Sequence, residues 1–122
     1  MSESNPKLKR AKHFTGQIYA TLLHLDESFE QKDIHMDMQI IDLTDINIQV
    51  LCRKLPRDKV KLRFKVDWDA NDDKYHVFVH EAPNGGKKEI SSYSAESTPD
   101  SKDKIRKDIE EYVNKHVESN SR

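Results

Sequence analysis

Two stretches of this chain stand out for their polar side chains: a joint where the chain must turn, and a basic row that could hold a compact anion. In the first, Asp42-Leu43-Thr44-Asp45-Ile46-Asn47, a carboxylate, a hydroxyl and an Asn tolerant of left-handed backbone interrupt a run of alternating apolar residues. In the second, Lys59, Lys61, Arg63 and Lys65 alternate with Val60, Leu62, Phe64 and Val66, which aligns the cations along one wet strand face. Pairing this strand with the next apolar alternation sets Phe78 beside Lys65 and His80 beside Arg63. Cations that meet phosphates, with an aromatic ring on which a base can stack, are the means by which sheets hold single-stranded nucleic acid. The plain alternative is a solvated face with one exposed ring.

Other chemistry finds little support. Only three glycines occur, Gly16, Gly85 and Gly86, so no phosphate-cradling loop can be built. The single cysteine, Cys52, is in phase with Ile48 and Val50 and reads as a small core residue; with no second thiol there is no intrachain disulfide and no zinc pair. His76 and His80 share a strand face but stand about 13 Å apart by strand rise, too far for one metal. His35 and Asp37 are closer, yet lack a third ligand. The serines cluster between Ser91 and Ser101, in a linker that could not hold a nucleophile rigidly. The expectation is a protein that is not an enzyme and carries no metal or cofactor.

The elements that must position these residues are mostly strands. Gln17 to Leu25 is nearly continuous apolar sequence and reads as a first, buried strand. Ile34 to Ile41 is the second strand and Ile48 to Cys52 the third. A Leu55-Pro56-Arg57-Asp58 turn follows. Val60–Trp68 and Tyr75–Glu81 form a hairpin. Setting Trp68 opposite Tyr75 brings Val66 against Val77 and Phe64 against Val79, and a slip of one residue would turn all of them outward. Asn84-Gly85 marks a tight turn into a last strand, Lys88 to Tyr93. Thr98-Pro99 then opens a helix, with Ile105, Ile109, Tyr112, Val113 and Val117 on one stripe.

At 122 residues, with 34% apolar and 35% charged residues, the chain has room for one domain with a small core. The reading divides it into a flexible basic arm over 1–12, a β-barrel over 13–93, a linker and amphipathic helix over 94–117, and a disordered tail over 118–122. Nothing resembles a secretion signal or a membrane span, so the expected compartment is the cytoplasm. The net charge of −1 hides segregation. Arg53–Lys65 holds seven basic residues against Asp58 alone, and Asp26–Asp45 holds seven acids against Lys32 alone. The near-neutral sum speaks against indiscriminate binding to nucleic acid or to acidic membranes, while the local basic run could hold a compact anion.

The segment from Asp42 to Val50, followed by Leu55-Pro56 and the alternation from Val60 to Phe64, resembles the middle of PilZ domains. In that family an Asp/Asn-x-Ser-x-x-Gly joint links two barrel strands; Thr44 stands at its serine position and Asn47 at its glycine position. Ala11 to Thr15 resembles the upstream Arg-x-x-x-Arg segment, with Ala11 and Thr15 where the arginines would be. The resemblance covers residues 10–81 and implies a mainly β fold: a six-stranded antiparallel barrel with one C-terminal helix. It implies a non-enzymatic signalling or adaptor module acting through a protein partner. Cyclic-di-GMP, if bound, would be held by Lys9, Arg10 and Lys12 of the arm with Asp42, Thr44 and Asn47 of the joint. Two other readings stand beside it. One is a single-stranded nucleic-acid binder using Lys61, Arg63, Lys65 and Phe78. The other is a phage, plasmid or secretion accessory protein that works as an interaction surface, with the C-terminal helix docking on a partner or on a second copy.

Overall fold

The computed structural model describes residues 6–53, 61–81, 86–95 and 98–120. The element order is α1 (Pro6–Glu30), β1 (Ile34–Ile41), β2 (Asp45–Cys52), β3 (Lys61–Asp69), β4 (Lys74–Glu81), β5 (Lys87–Ser94) and α2 (Thr98–Asn120). The five strands form an antiparallel meander in the order β1-β2-β3-β4-β5. Both helices pack on the same apolar side of it.

The β3–β4 register follows from apolar pairing: Trp68 faces Tyr75, Val66 faces Val77 and Phe64 faces Val79. Even-numbered residues of β1, β2 and β3 and odd-numbered residues of β4 point to the helices. Ile34, Met36, Ile46, Ile48, Val50, Cys52, Leu62, Phe64, Val66, Tyr75, Val77 and Val79 are all buried there. Burial pushes the Cys52 thiol up, as suits a core residue.

Two expectations need correcting. The sheet is not a closed six-stranded barrel, because β1 and β5 are its two edges. Nor is there a single helix. The stretch Gln17–Leu25 lies inside α1, and residues 6–12, expected in a flexible arm, form its first turns. Pro6 opens the helix, where its missing N–H costs nothing. Ala11, Phe14, Thr15, Ile18, Leu22, Leu25 and Phe29 recur at helical spacing and form one buried stripe. The apolar run misleads because Tyr19, Ala20 and Leu23 lie off that stripe; Leu23 is 45% exposed.

The C-terminal helix does pack on its own sheet. Ile105, Ile109 and Val113 are fully buried, so the stripe expected to dock on a partner is used within the chain. Polar fastenings support it. The Tyr93 hydroxyl donates to Asp108 and the Tyr112 hydroxyl to Glu81. Burial, and then these carboxylates, push both phenols up to about 12. Tyr112 also meets Phe64 edge-on at 5.8 Å between ring centres. α2 continues to Asn120, through the start of the expected tail, and Ser94 of the expected linker belongs to β5. The Leu55–Asp58 and Asn84-Gly85 turns lie outside the described residues.

The joint after Ile41 is tighter than expected. Asp42 and Leu43 both have positive φ, 54° and 65°, and the Thr44 N–H donates to the Ile41 carbonyl at 3.3 Å. Asn47, expected to supply left-handed backbone, sits in regular β2 instead. Leu43 therefore bears the conformational cost, with its side chain 58% exposed. Left-handed geometry costs a non-glycine residue about 1–2 kcal/mol, and this side chain has little packing to lose. Leu43→Gly should accordingly raise unfolding stability by about 1 kcal/mol, measured by urea denaturation; an unchanged or lower midpoint would show that Leu43 is held by packing after all.

Candidate functional site

Because helices cover only one side of the sheet, the other side is, among the described residues, an uncovered face whose composition follows from strand register. Three of its rows hold the candidate residues. Arg63 lies between Gln49 and His80, with Asp37 beyond Gln49 and Lys87 beyond His80. In the next row Gln39, Asn47, Lys65, Phe78 and Glu89 follow one another. One strand end further on, His35 faces Leu51, which faces Lys61. A shallow concavity of about 610 Å³ runs over the first two rows. Met38, Ile48, Phe64 and Val79, whose side chains belong to the opposite face, underlie it.

Cations are concentrated on the β3–β5 half. Arg63, Lys61, His80 and Lys87 are exposed, and Lys65 and Phe78 are half-buried. Arg63 makes no ion pair among the described residues. Lys65 lies 3.8 Å from Asp67 on the same strand. The Lys87 ammonium sits 4.4 Å above the centre of the Phe78 ring. His76 stacks beside that ring, 6.3 Å away and 25° from parallel.

His76 is tied on both sides. Its Nδ1 is 3.0 Å from Glu89 Oε2 and its Nε2 is 2.8 Å from Asp72 Oδ2. Both nitrogens can donate only when the ring is protonated. The bond to Glu89 first, and then Asp72, raises the His76 pKa above its ordinary 6.5 against the opposing effect of burial. Asp69, Asp72 and His76 bring ligand atoms within 4.8 Å of one another. In its protonated form His76 is braced between Glu89 and Asp72. Nearby, burial and then Asp45 raise the Asp67 carboxyl.

The residues assigned through the joint and the arm are placed differently. α1 does lie against the β1–β2 turn: the Thr15 hydroxyl, which donates to the Ala11 carbonyl at 2.7 Å, also lies 3.3 Å from the Thr44 carbonyl. The Thr44 hydroxyl turns to Asp45 Oδ1 at 3.4 Å, and that oxygen also accepts the Trp68 N–H at 3.2 Å. Thr44 thus closes the turn locally. Arg10 is taken up by Asp73, which also accepts the Trp68 indole N–H at 2.8 Å. Burial acts to raise the Asp73 carboxyl, but the bonds from Trp68 and Arg10 prevail and hold it below the ordinary range. Lys9 and Lys12 are exposed on α1, Asp42 is exposed in the turn, and Asn47 points to the uncovered face away from the helices. The six residues do not converge.

The alternative set does converge: Arg63, Lys65 and Phe78 line one concavity, with Lys61 on the adjoining row. Lys59 lies outside the described residues. Sequence reading missed Lys87, Glu89 and the polar floor from β1 and β2 (Asp37, Gln39, Gln49). The β4–β5 register was the missing signal, because a bulge between Val77 and Phe78 displaces β5 by one residue.

Comparison with family models, with curated proteins and with solved structures gave no match for this chain. The site's own geometry is therefore what any functional reading must rest on. No helix among the described residues is long and apolar enough to cross a membrane.

The doubly bonded His76 has a measurable signature. Its protonated form is favoured in the fold, so it adds stability below pH 6.5, and that contribution fades as pH rises through the raised value. NMR titration should place the His76 midpoint above 6.5, and Glu89→Gln should lower it; a midpoint insensitive to Glu89→Gln would remove the brace.

Proposed function

We propose that this chain is a non-enzymatic binding module that holds a short single-stranded nucleic acid on its uncovered sheet face. The observation that carries the reading is the gathering of Arg63, Lys65, Lys87 and His80 around the Phe78 ring over one concavity. Arg63 and Lys65 meet phosphates, and Phe78 stacks on a base. Lys87 covers that ring in the free protein, yet an exposed cation–π contact is worth only about 0.5–1 kcal/mol, against roughly 1–3 kcal/mol for a stacked base. A base can therefore displace Lys87 from the ring, and the freed ammonium then neutralises an adjacent phosphate. The carboxylates of Asp37 and Glu89 at the margins confine an anionic strand to the middle of the face.

Fluorescence anisotropy with a labelled single-stranded oligonucleotide tests this. If Lys61, Arg63, Lys65 and Lys87 each neutralise a phosphate, the logarithm of affinity falls with that of salt with a slope of roughly −3. Arg63→Ala with Lys65→Ala should flatten the slope by about half, while Phe78→Ala should weaken binding roughly 5- to 150-fold at unchanged slope. Binding that ignores all three substitutions, or that favours duplex equally, would discard the reading.

A second reading is a PilZ-like adaptor that works through a protein partner, and the Thr15–Thr44 contact favours it by holding the basic start of α1 beside the β1–β2 turn. Its ligand-binding form would use the exposed Lys9 and Lys12. Calorimetric titration should then give heat with cyclic-di-GMP that Lys9→Ala plus Lys12→Ala abolishes. Absence of heat at high micromolar ligand would eliminate the nucleotide-binding form.

A further inference from the structure

The two edges of the sheet are built differently. β5 carries Lys87 and Lys88, and its pairing with β4 is broken by a bulge, features that deter a further strand from adding. β1 has neither device. Its eight residues, Ile34–Ile41, pair with β2 in unbroken register and include no Lys, Arg or Pro. Among the described residues, no backbone hydrogen bond joins the outer edge of β1 to another element.

Apolar surface runs along this edge. Met38, Ile40 and Ile41 are only half-buried. Above them, Thr21, His24 and Ser28 of α1 line a cleft shared with Lys102 and Arg106 of α2. By helical geometry, Tyr19 and Leu23 then lie on the flank of α1 that faces away from α2. α1 packs against β1, and Leu23 on that flank is 45% exposed.

We propose that β1 pairs antiparallel with β1 of a second copy of this chain, extending the sheet across a two-fold axis with α1 beside α1. Self-complementarity selects this occupant. With Met38 opposite its own copy on the axis, Met36 faces Ile40 on the helix side. On the uncovered side Asp37 faces Gln39 and His35 faces Ile41, so no two like charges are opposed. Putting Asp37 on the axis would oppose two carboxylates, which cross-strand pairing penalises. Putting Met36 there would shorten the ladder and leave Ile40 and Ile41 wet. An isologous contact of this kind closes at two copies and cannot propagate. It also joins the two concavities edge to edge, since Asp37 and Gln39 belong to both the groove and the contact.

Sedimentation equilibrium of the full chain reads the association directly. The unsubstituted protein should show a monomer–dimer equilibrium. Gln39 is exposed, so substituting it leaves the core intact. Gln39→Asp sets a carboxylate against Asp37 of the other copy twice and should raise the dissociation constant roughly 2- to 30-fold. Gln39→Lys makes two opposite-charge pairs and should lower it by a similar factor. A monomer at every accessible concentration would overturn the proposal. So would a dimer on which the two substitutions have no effect or effects of the same sign.

Discussion

One face of the meander is apolar from β1 to β4 and cannot remain wet. From Ile34 and Met36 on β1 to Val77 and Val79 on β4, its buried side chains are at most 4% exposed. Covering such a face is the dominant favourable term in folding, at roughly 25 cal/mol per Å² of apolar area. A sheet can meet this demand by closing on itself or by taking a roof of helices. Here the roof comes from both ends of the chain: Phe14, Ile18, Leu22, Leu25 and Phe29 from α1, and Ile105, Ile109 and Val113 from α2. Once helices occupy that space, nothing draws β1 toward β5. The sheet stays open, and no other described element covers its second face.

Polar bonds then fix how the roof is seated. The Tyr75 hydroxyl reaches through the core to the Ala11 carbonyl at 2.8 Å and shares the Thr15 hydroxyl at 3.0 Å. Burial raises its pKa to about 12, so it remains a neutral donor. Phe14 meets the same ring edge-on at 5.4 Å. Asp73, at positive φ in the β3–β4 turn, collects Arg10 from α1 and the Trp68 indole, while its carbonyl accepts the Ala95 N–H at 3.0 Å. One turn thereby ties the start of α1 to β3 and to the chain leaving β5. Arg10 thus pairs its charge with Asp73 inside the fold.

How much of this was legible in the sequence depends on where periodicity is unambiguous. The β3–β4 register could be read outright, because Phe64, Val66 and Trp68 on one strand meet Val79, Val77 and Tyr75 on the other, and a slip of one residue would turn them outward. The α2 stripe was equally plain. α1 was obscured by Tyr19, Ala20 and Leu23, apolar residues off the buried face that turned a helical pattern into a continuous run. Only the outlying Ala11, Phe14 and Phe29 restore the helical spacing. Whether a meander closes is not written in any strand; it depends on whether other apolar surface competes for the same face, so misreading α1 also produced the barrel. Among candidate site residues, Arg63, Lys65 and Phe78 were recoverable from alternation and register. Lys87 was not, because the bulge beside Phe78 leaves no local mark.

The uncovered face inherits the charge segregation of the chain. β1 and β2 supply Asp37, Gln39, Asn47 and Gln49, while β3, β4 and β5 supply Lys61, Arg63, Lys65, His80 and Lys87. A net charge of −1 for the whole molecule therefore says little about the field above β3 and β4, where exposed cations outnumber their partners. The two halves of the face can serve different ends. The proposed anion site lies in the half around Phe78, and the edge strand of the other half carries one carboxylate, Asp37, and no Lys or Arg. The same alternation that buried one face sorted charge across the other, so the proposed anion site and the proposed strand pairing draw on different strands and meet at Asp37 and Gln39.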